Sequence, residues 1–279
     1  MWKSEILYSN IRLALKGEIV CRKKTPYQYI EILKTERFGN VLFLDGTIQT
    51  TEKDEFIYHE MLTHLAMLLH SCPRKVLIIG GGDGGILRET LKYAVVQEAV
   101  LVEIDEKVIE LSKKYFKNIC KKSFEDRRSK VIIEDGAKFI KRCSKKFDVV
   151  IIDSPDPIGK AKVLFSPRFY KDISSVLEEK GVMIRQTGST ILQGRELKKN
   201  WQILKNIFPY VWIHLISVPT YIGGFFSLTV ASKGVNLLSL SPKILKQRIR
   251  KFNLKTKYYN SDLHFASAVL PEYVKEQLR

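Results

Sequence analysis

The sequence predicts an α/β fold in which a doubly wound, mostly parallel sheet follows a small N-terminal antiparallel β domain. Three observations carry this. Short apolar runs rich in Val and Ile alternate with helical segments from residue 75 onward, and one of those runs ends in a glycine-rich turn. Residues 1–51, by contrast, alternate strand-like stretches with tight turns.

Taken in order, Gln28–Leu33 partly alternates apolar and polar residues, and Phe38-Gly39-Asn40 turns the chain. Val41–Leu44 then ends at Asp45-Gly46, a hairpin signal. Thr51-x-x-Asp54 resembles a capping box, with Ile57, Met61, Leu65 and Leu68 at helical spacing behind it. The first helix is therefore expected to begin near residue 52, where a larger α/β domain spanning 52–279 takes over. The expected parallel strands are Val76–Ile79, Ala99–Val102, Val131–Ile133, Val149–Ile152 and Val182–Ile184, joined by right-handed crossovers. Val211–Val218 and Phe226–Ala231 follow at the shorter spacing of a terminal antiparallel pair.

The 279 residues are 45% apolar, enough for one large core and a smaller one. No apolar run reaches the ~20 residues that span a bilayer, and Met1–Glu5 lacks the apolar stretch of a secretory leader. A cytoplasmic location is the expectation, with no membrane partner. The cysteines, Cys21, Cys72, Cys120 and Cys143, form no C-x-x-C pair, and His59 and His64 miss the i, i+4 spacing of a metal-binding helix. No metal is expected. The net charge of +17 is spread over pairs such as Lys113-Lys114, Lys121-Lys122 and Arg127-Arg128 without interleaved aromatics, so it reads as solvated faces rather than a nucleic-acid surface.

The chemistry begins at Gly80-Gly81-Gly82-Asp83-Gly84-Gly85. A strand-to-helix glycine turn ordinarily favours anions, because backbone N–H groups and a helix N-terminus face the ligand. Asp83 places a carboxylate there. A pyrophosphate is repelled at such a loop, whereas a nucleoside-like ligand with an ammonium or sulfonium tail is held. Glu103, about twenty residues further on and at the end of the next strand, suits ribose hydroxyls. Asp135-Gly136 closes the following strand, where Asp135 either accepts from an adenine amino group or caps a helix. Asp153-Ser154-Pro155-Asp156 ends another strand, either as a solvated Asp-Pro turn or as part of an acidic cluster with Asp83. Such a cluster is costly unless a cation shares it.

These stretches, with Gln49–Met61, Leu164-Phe165-Ser166, Pro219-Thr220-Tyr221 and Tyr258–His264, resemble the spermidine synthase family of polyamine aminopropyltransferases over nearly the whole chain. The resemblance implies a Rossmann-like, class I methyltransferase-like catalytic domain. It implies aminopropyl transfer from decarboxylated S-adenosylmethionine to a diamine, typically putrescine, in a homodimer or homotetramer with no cofactor. It further implies that Gln28, Glu103, Asp135, Gly136 and the residue at Lys160 hold the thioadenosine part. Asp83 would hold the aminopropyl ammonium, while Tyr58, His59, Ser154, Pro155, Asp156 and Tyr221 line the amine. Asp153 would be the catalytic acid/base, with Tyr58 and Tyr221 as its hydrogen-bond partners.

The chain departs from the family pattern where Lys160 replaces a proline, where Ile222-Gly223-Gly224 replaces Pro-Ser-Gly, and at Phe226, a tryptophan in some relatives. Two other readings compete. A methyltransferase shares the sheet and the ribose acid, but a methionyl carboxylate is repelled by Asp83. A basic binding module without activity fits the charge and Lys160, but not the joint presence of Asp83, Asp153, Asp156, Tyr58 and Tyr221.

Overall fold

A computed structural model describes residues 1–155 and 159–279, with the side chains of 159–161 left out. Strands β1 (Trp2–Ser4), β2 (Ala14–Lys24), β3 (Tyr29–Thr35), β4 (Gly39–Leu44) and β5 (Thr47–Thr51) form an antiparallel sheet in sequential order. The expected hairpin at Asp45-Gly46 joins β4 to β5. Alternation along β3 sends Leu33 to a core with Leu15, Val41, Phe43 and Ile48, and Ile30 and Ile32 to the opposite face.

The first helix, α1 (Glu55–Leu69), starts three residues later than the capping-box reading placed it. Thr51 and Asp54 bond each other rather than the helix: Thr51 Oγ1 donates to Asp54 Oδ1 at 2.6 Å. The other Asp54 oxygen accepts from the backbone N–H and hydroxyl of Thr220. A long-range partner outcompeted the local cap.

The second sheet and its helices follow as β6 (Lys75–Gly80), α2 (Gly85–Leu91), β7 (Glu98–Glu103), α3 (Glu106–Tyr115), α4 (Lys117–Cys120), β8 (Ser129–Ile133), α5 (Gly136–Arg142) and β9 (Phe147–Asp153). Then come α6 (Pro167–Val176), β10 (Leu177–Ser189), α7 (Gly194–Lys205), β11 (Tyr210–Ile216), β12 (Phe226–Ser232), α8 (Pro242–Lys251), α9 (Ser261–Ala266) and α10 (Glu272–Leu278). The strand order is β11-β12-β10-β9-β6-β7-β8, with β12 antiparallel to both its neighbours. Every strand expected from the sequence is present.

The sheet is buried on both faces. Val76 and Ile78 of β6 pack with α1 and α2, whereas Leu77 and Ile79 pack with α5 and α6. This two-sided burial explains why the strands read as unbroken apolar runs. Each such side chain contributes roughly 1.5–3 kcal/mol. The two sheets meet through Ile30, Ile32 and Leu42, which pack on Val108 of α3 and Phe116 and Ile119 beside and within α4. The order of winding reverses between β6 and β9, so a crevice opens beyond their carboxyl ends. Among the described residues, no helix is long and apolar enough to cross a membrane.

Candidate active site

The crevice is built on a junction between β6 and β9. Gly80 pairs with Asp153, and the Gly81 N–H donates to the Asp153 carbonyl at 3.1 Å. Gly80 holds φ at 81°, and a Cβ there would overlap that carbonyl, so only glycine lets the two strand ends meet. Asp83 and Asp153 are thereby set side by side. The Asp83 Oδ1 accepts from the Gly85 N–H at 2.7 Å, and Asp153 Oδ1 accepts from the Tyr58 hydroxyl at 2.7 Å.

His59 sits between two carboxylates of this cluster. His59 Nε2 lies 3.3 Å from Asp83 Oδ2, and its Nδ1 lies 2.6 Å from Glu55 Oε2. Arg88 clamps Glu55 from α2 with two nitrogens at 3.0 and 2.9 Å, and its Nε bonds Glu89 at 2.9 Å. His59, Asp83 and Asp153 present ligand-type atoms within 4.8 Å of one another. Both ring nitrogens of the imidazole are thus turned to carboxylates. His59, expected to line the amine, is buried and bonded to Asp83.

The charges follow from this packing. Burial alone would push His59 down, but Asp83 and Glu55 carry it up to about 10. Burial would raise Asp83 and Glu55, yet His59 and Arg88 hold both below the usual carboxylate range. Asp153, raised by burial and then by neighbouring Asp83, reaches about 6. Two carboxylates in one site have been pushed apart, the pattern that separates a binding anion from a proton acceptor.

Gln28, Glu103, Asp135 and Gly136 all contribute to the wall of this cavity. Glu103 ends β7 and accepts from the Asp105 N–H at 2.9 Å; burial raises its carboxyl to about 7. Gln28 is oriented by donating to Asp105 Oδ2 at 3.0 Å. Asp135 caps α5 through Ala137 and Lys138 and also faces the cavity. Tyr58, Ser154, Pro155, Tyr221 and Phe226 line it as well. The Tyr221 hydroxyl donates to the Gln49 carbonyl at 2.7 Å rather than to Asp153, whose hydroxyl donor is Tyr58. Asp156 lies outside the described residues, as does the Lys160 side chain.

Glu5, Gln49 and Gln186 also face the cavity and were not anticipated. Gln49 opens the matching stretch Gln49–Met61 without having been singled out, and Glu5 and Gln186 arrive by tertiary placement alone. Gln186 Nε2 donates to the Ser154 carbonyl at 3.0 Å, which leaves its Oε1 as an acceptor. That oxygen and Ser154 Oγ are buried without a hydrogen-bond partner among the described residues. Alternation along β10 might have singled out Gln186 only if the cavity's position were already known.

Comparison with known proteins agrees with this geometry. Residues 55–242 match the spermine/spermidine synthase domain, and residues 1–52 match the spermidine synthase tetramerisation domain. Polyamine aminopropyltransferase of Thermoanaerobacter sp. is 42% identical over 277 residues, 99% of this chain and 98% of that protein. The Caldicellulosiruptor bescii protein of the same name is 43% identical over 257 residues, 92% and 90% of the two chains. Spermidine synthase from Thermotoga maritima superposes with a TM-score of 0.93 at 40% identity, covering 100% of this chain and 94% of that one. A spermidine synthase in complex with the transition-state analogue AdoDATO gives 0.94 at 40% identity, with the same coverage. Site geometry, fold and full-length similarity together show that the chain belongs to the spermine/spermidine synthase family and is a polyamine aminopropyltransferase.

Proposed function

We propose that the chain moves the aminopropyl group of decarboxylated S-adenosylmethionine to putrescine, giving spermidine, methylthioadenosine and a proton. The observation that carries this reading is the split carboxylate pair, Asp83 held ionised and Asp153 raised to about 6, at the crevice beside Glu103. In the reaction, a neutral amine nitrogen forms a bond to the methylene beside the sulfonium. The carbon–sulfur bond breaks, its electron pair stays on sulfur, and the surplus amine proton passes to Asp153. The leaving thioether is neutral, so the step as read calls for no metal or cofactor. It calls for alignment and a proton acceptor.

Gln28, Glu103, Asp135 and Gly136 are assigned to the thioadenosine part, with Lys160 beside the base, and Asp83 to the aminopropyl ammonium. Tyr58, Ser154, Pro155, Asp156 and Tyr221 are assigned to the amine, with Asp153 as base. The unpartnered Gln186 Oε1 and Ser154 Oγ support a donor-rich ligand in the cavity, because an ammonium offers only donors. The tetramerisation-domain match supports a homodimer or homotetramer, as do Met1, Trp2 and Ile6, exposed on the N-terminal segment. The four free thiols fit a reducing cytoplasm.

The test is product analysis with decarboxylated S-adenosylmethionine and a panel of putrescine, cadaverine and spermidine. Methylthioadenosine with aminopropylated putrescine as the dominant product is the expected outcome. Preference for another amine would replace putrescine, and absence of methylthioadenosine with every amine would overturn aminopropyl transfer itself.

A further inference from the structure

The buried His59 holds a carboxylate on each ring nitrogen, yet the proposed reaction gives it no step. Its ring rests on the glycine turn: a Cβ at Gly85 would overlap the imidazole, so Gly85 serves close approach rather than phosphate contact. The groups that face it are Glu55 and Tyr58 of its own helix, Asp83 of the turn, Asp153 at the end of β9 and Arg88 of α2, with Cys120 beside Asp83. Beyond Glu55, the signs alternate outward: Arg88 to Glu89 at 2.9 Å, then Glu89 to Lys92 at 2.6 Å, the first member with substantial exposure. In the row Asp83, His59, Glu55, Arg88, Glu89, Lys92, each anion has a cation beside it. Asp153, outside the row, is the carboxylate without one of its own.

We infer that His59 is a positioning residue, a permanently protonated strut that holds Asp83 ionised and turned to the cavity and so confines proton uptake to Asp153. A neutral ring can donate from one nitrogen only, so its other nitrogen would meet a carboxylate lone pair to lone pair unless that carboxyl were itself protonated. The Arg88 clamp on Glu55 removes that escape on one side, because a protonated Glu55 would forfeit a two-bond ion pair, and on the other side the Gly85 N–H bonded to Asp83 Oδ1 favours the carboxylate of Asp83. The charge therefore resides on the ring. Its positive field also acts on Asp153, which it draws down from where burial and Asp83 would put it.

This rests on the reading of Asp83 as the ammonium anchor, and the experiment separates the two. Nitrogen-15 NMR of the histidine-labelled full-length protein reads the ring directly, whatever the reaction: both His59 nitrogens should carry protons from pH 7 to 9. A ring neutral over that range overturns the strut. In His59→Gln, the KM for decarboxylated S-adenosylmethionine should rise at least ~10-fold and the acid limb of kcat/KM should move to higher pH, while methylthioadenosine, which lacks the ammonium, binds as in wild type. Equal losses for both ligands with an unmoved acid limb would overturn it. Should that variant fail to fold, Glu55→Gln keeps the shape and removes one carboxylate: the ring should then titrate at lower pH, and an unchanged titration would contradict the inference.

Discussion

Asp153→Asn is expected to lower turnover by at least ~100-fold, the scale on which general acid/base groups act. The amide preserves the side chain's shape but cannot accept the amine proton. Methylthioadenosine affinity should stay as in wild type, because the thioadenosine part is assigned to residues further along the cavity. The pH profile sharpens the point. Asp153 sits at about 6, so below that pH it is protonated and kcat/KM should fall as pH drops through 6; in the variant this limb should disappear. Initial rates of methylthioadenosine release from pH 5 to 8 measure both effects. Turnover within a few-fold of wild type would remove Asp153 from the base role.

Arg88→Met should cost about 3–5 kcal/mol of folding stability, the range for breaking one partner out of a buried ion-pair network. The substitution keeps most of the side-chain length and leaves Glu55 and Glu89 facing each other across the gap. Both are buried, and Glu89, despite burial, is held well below the usual carboxylate range by His64, Arg88 and Lys92. Losing Arg88 removes one of the charges that keep it there. Urea denaturation at pH 7 gives the comparison, and a change below about 1 kcal/mol would show that the network relaxes around the loss.

Much of this was legible in the sequence because strand ends mark the ligand edge of a doubly wound sheet. Asp83, Glu103, Asp135 and Asp153 each follow a strongly apolar run, so their shared crevice follows from topology alone. Their partners do not follow. The Glu55–His59 contact is an i, i+4 pair that any helix could hold. Its meaning depends on Arg88, 33 residues from Glu55, and on the glycine turn that admits the ring. The start of α1 was misjudged for the same reason, since Asp54 is taken by Thr220, 166 residues away. Tyr221, expected with Tyr58 as a hydrogen-bond partner of Asp153, reaches Gln49 instead, a partner set by how the N-terminal sheet lies over the crevice.

The aspartate in an anion-favouring turn also reads differently with its partner in place. Asp83 is not a stray charge awaiting a ligand; His59 and the Gly85 N–H sustain it from behind, leaving its cavity side for an ammonium. A methionyl carboxylate would meet that charge directly, and like-charge juxtaposition costs several kcal/mol. Calorimetric titration of the wild-type protein with decarboxylated S-adenosylmethionine and with S-adenosylmethionine tests this claim. The decarboxylated donor should bind at least ~10-fold more tightly, a difference of about 1.4 kcal/mol or more. Equal affinity, or tighter binding of S-adenosylmethionine, would contradict the role of Asp83 in choosing aminopropyl over methyl transfer.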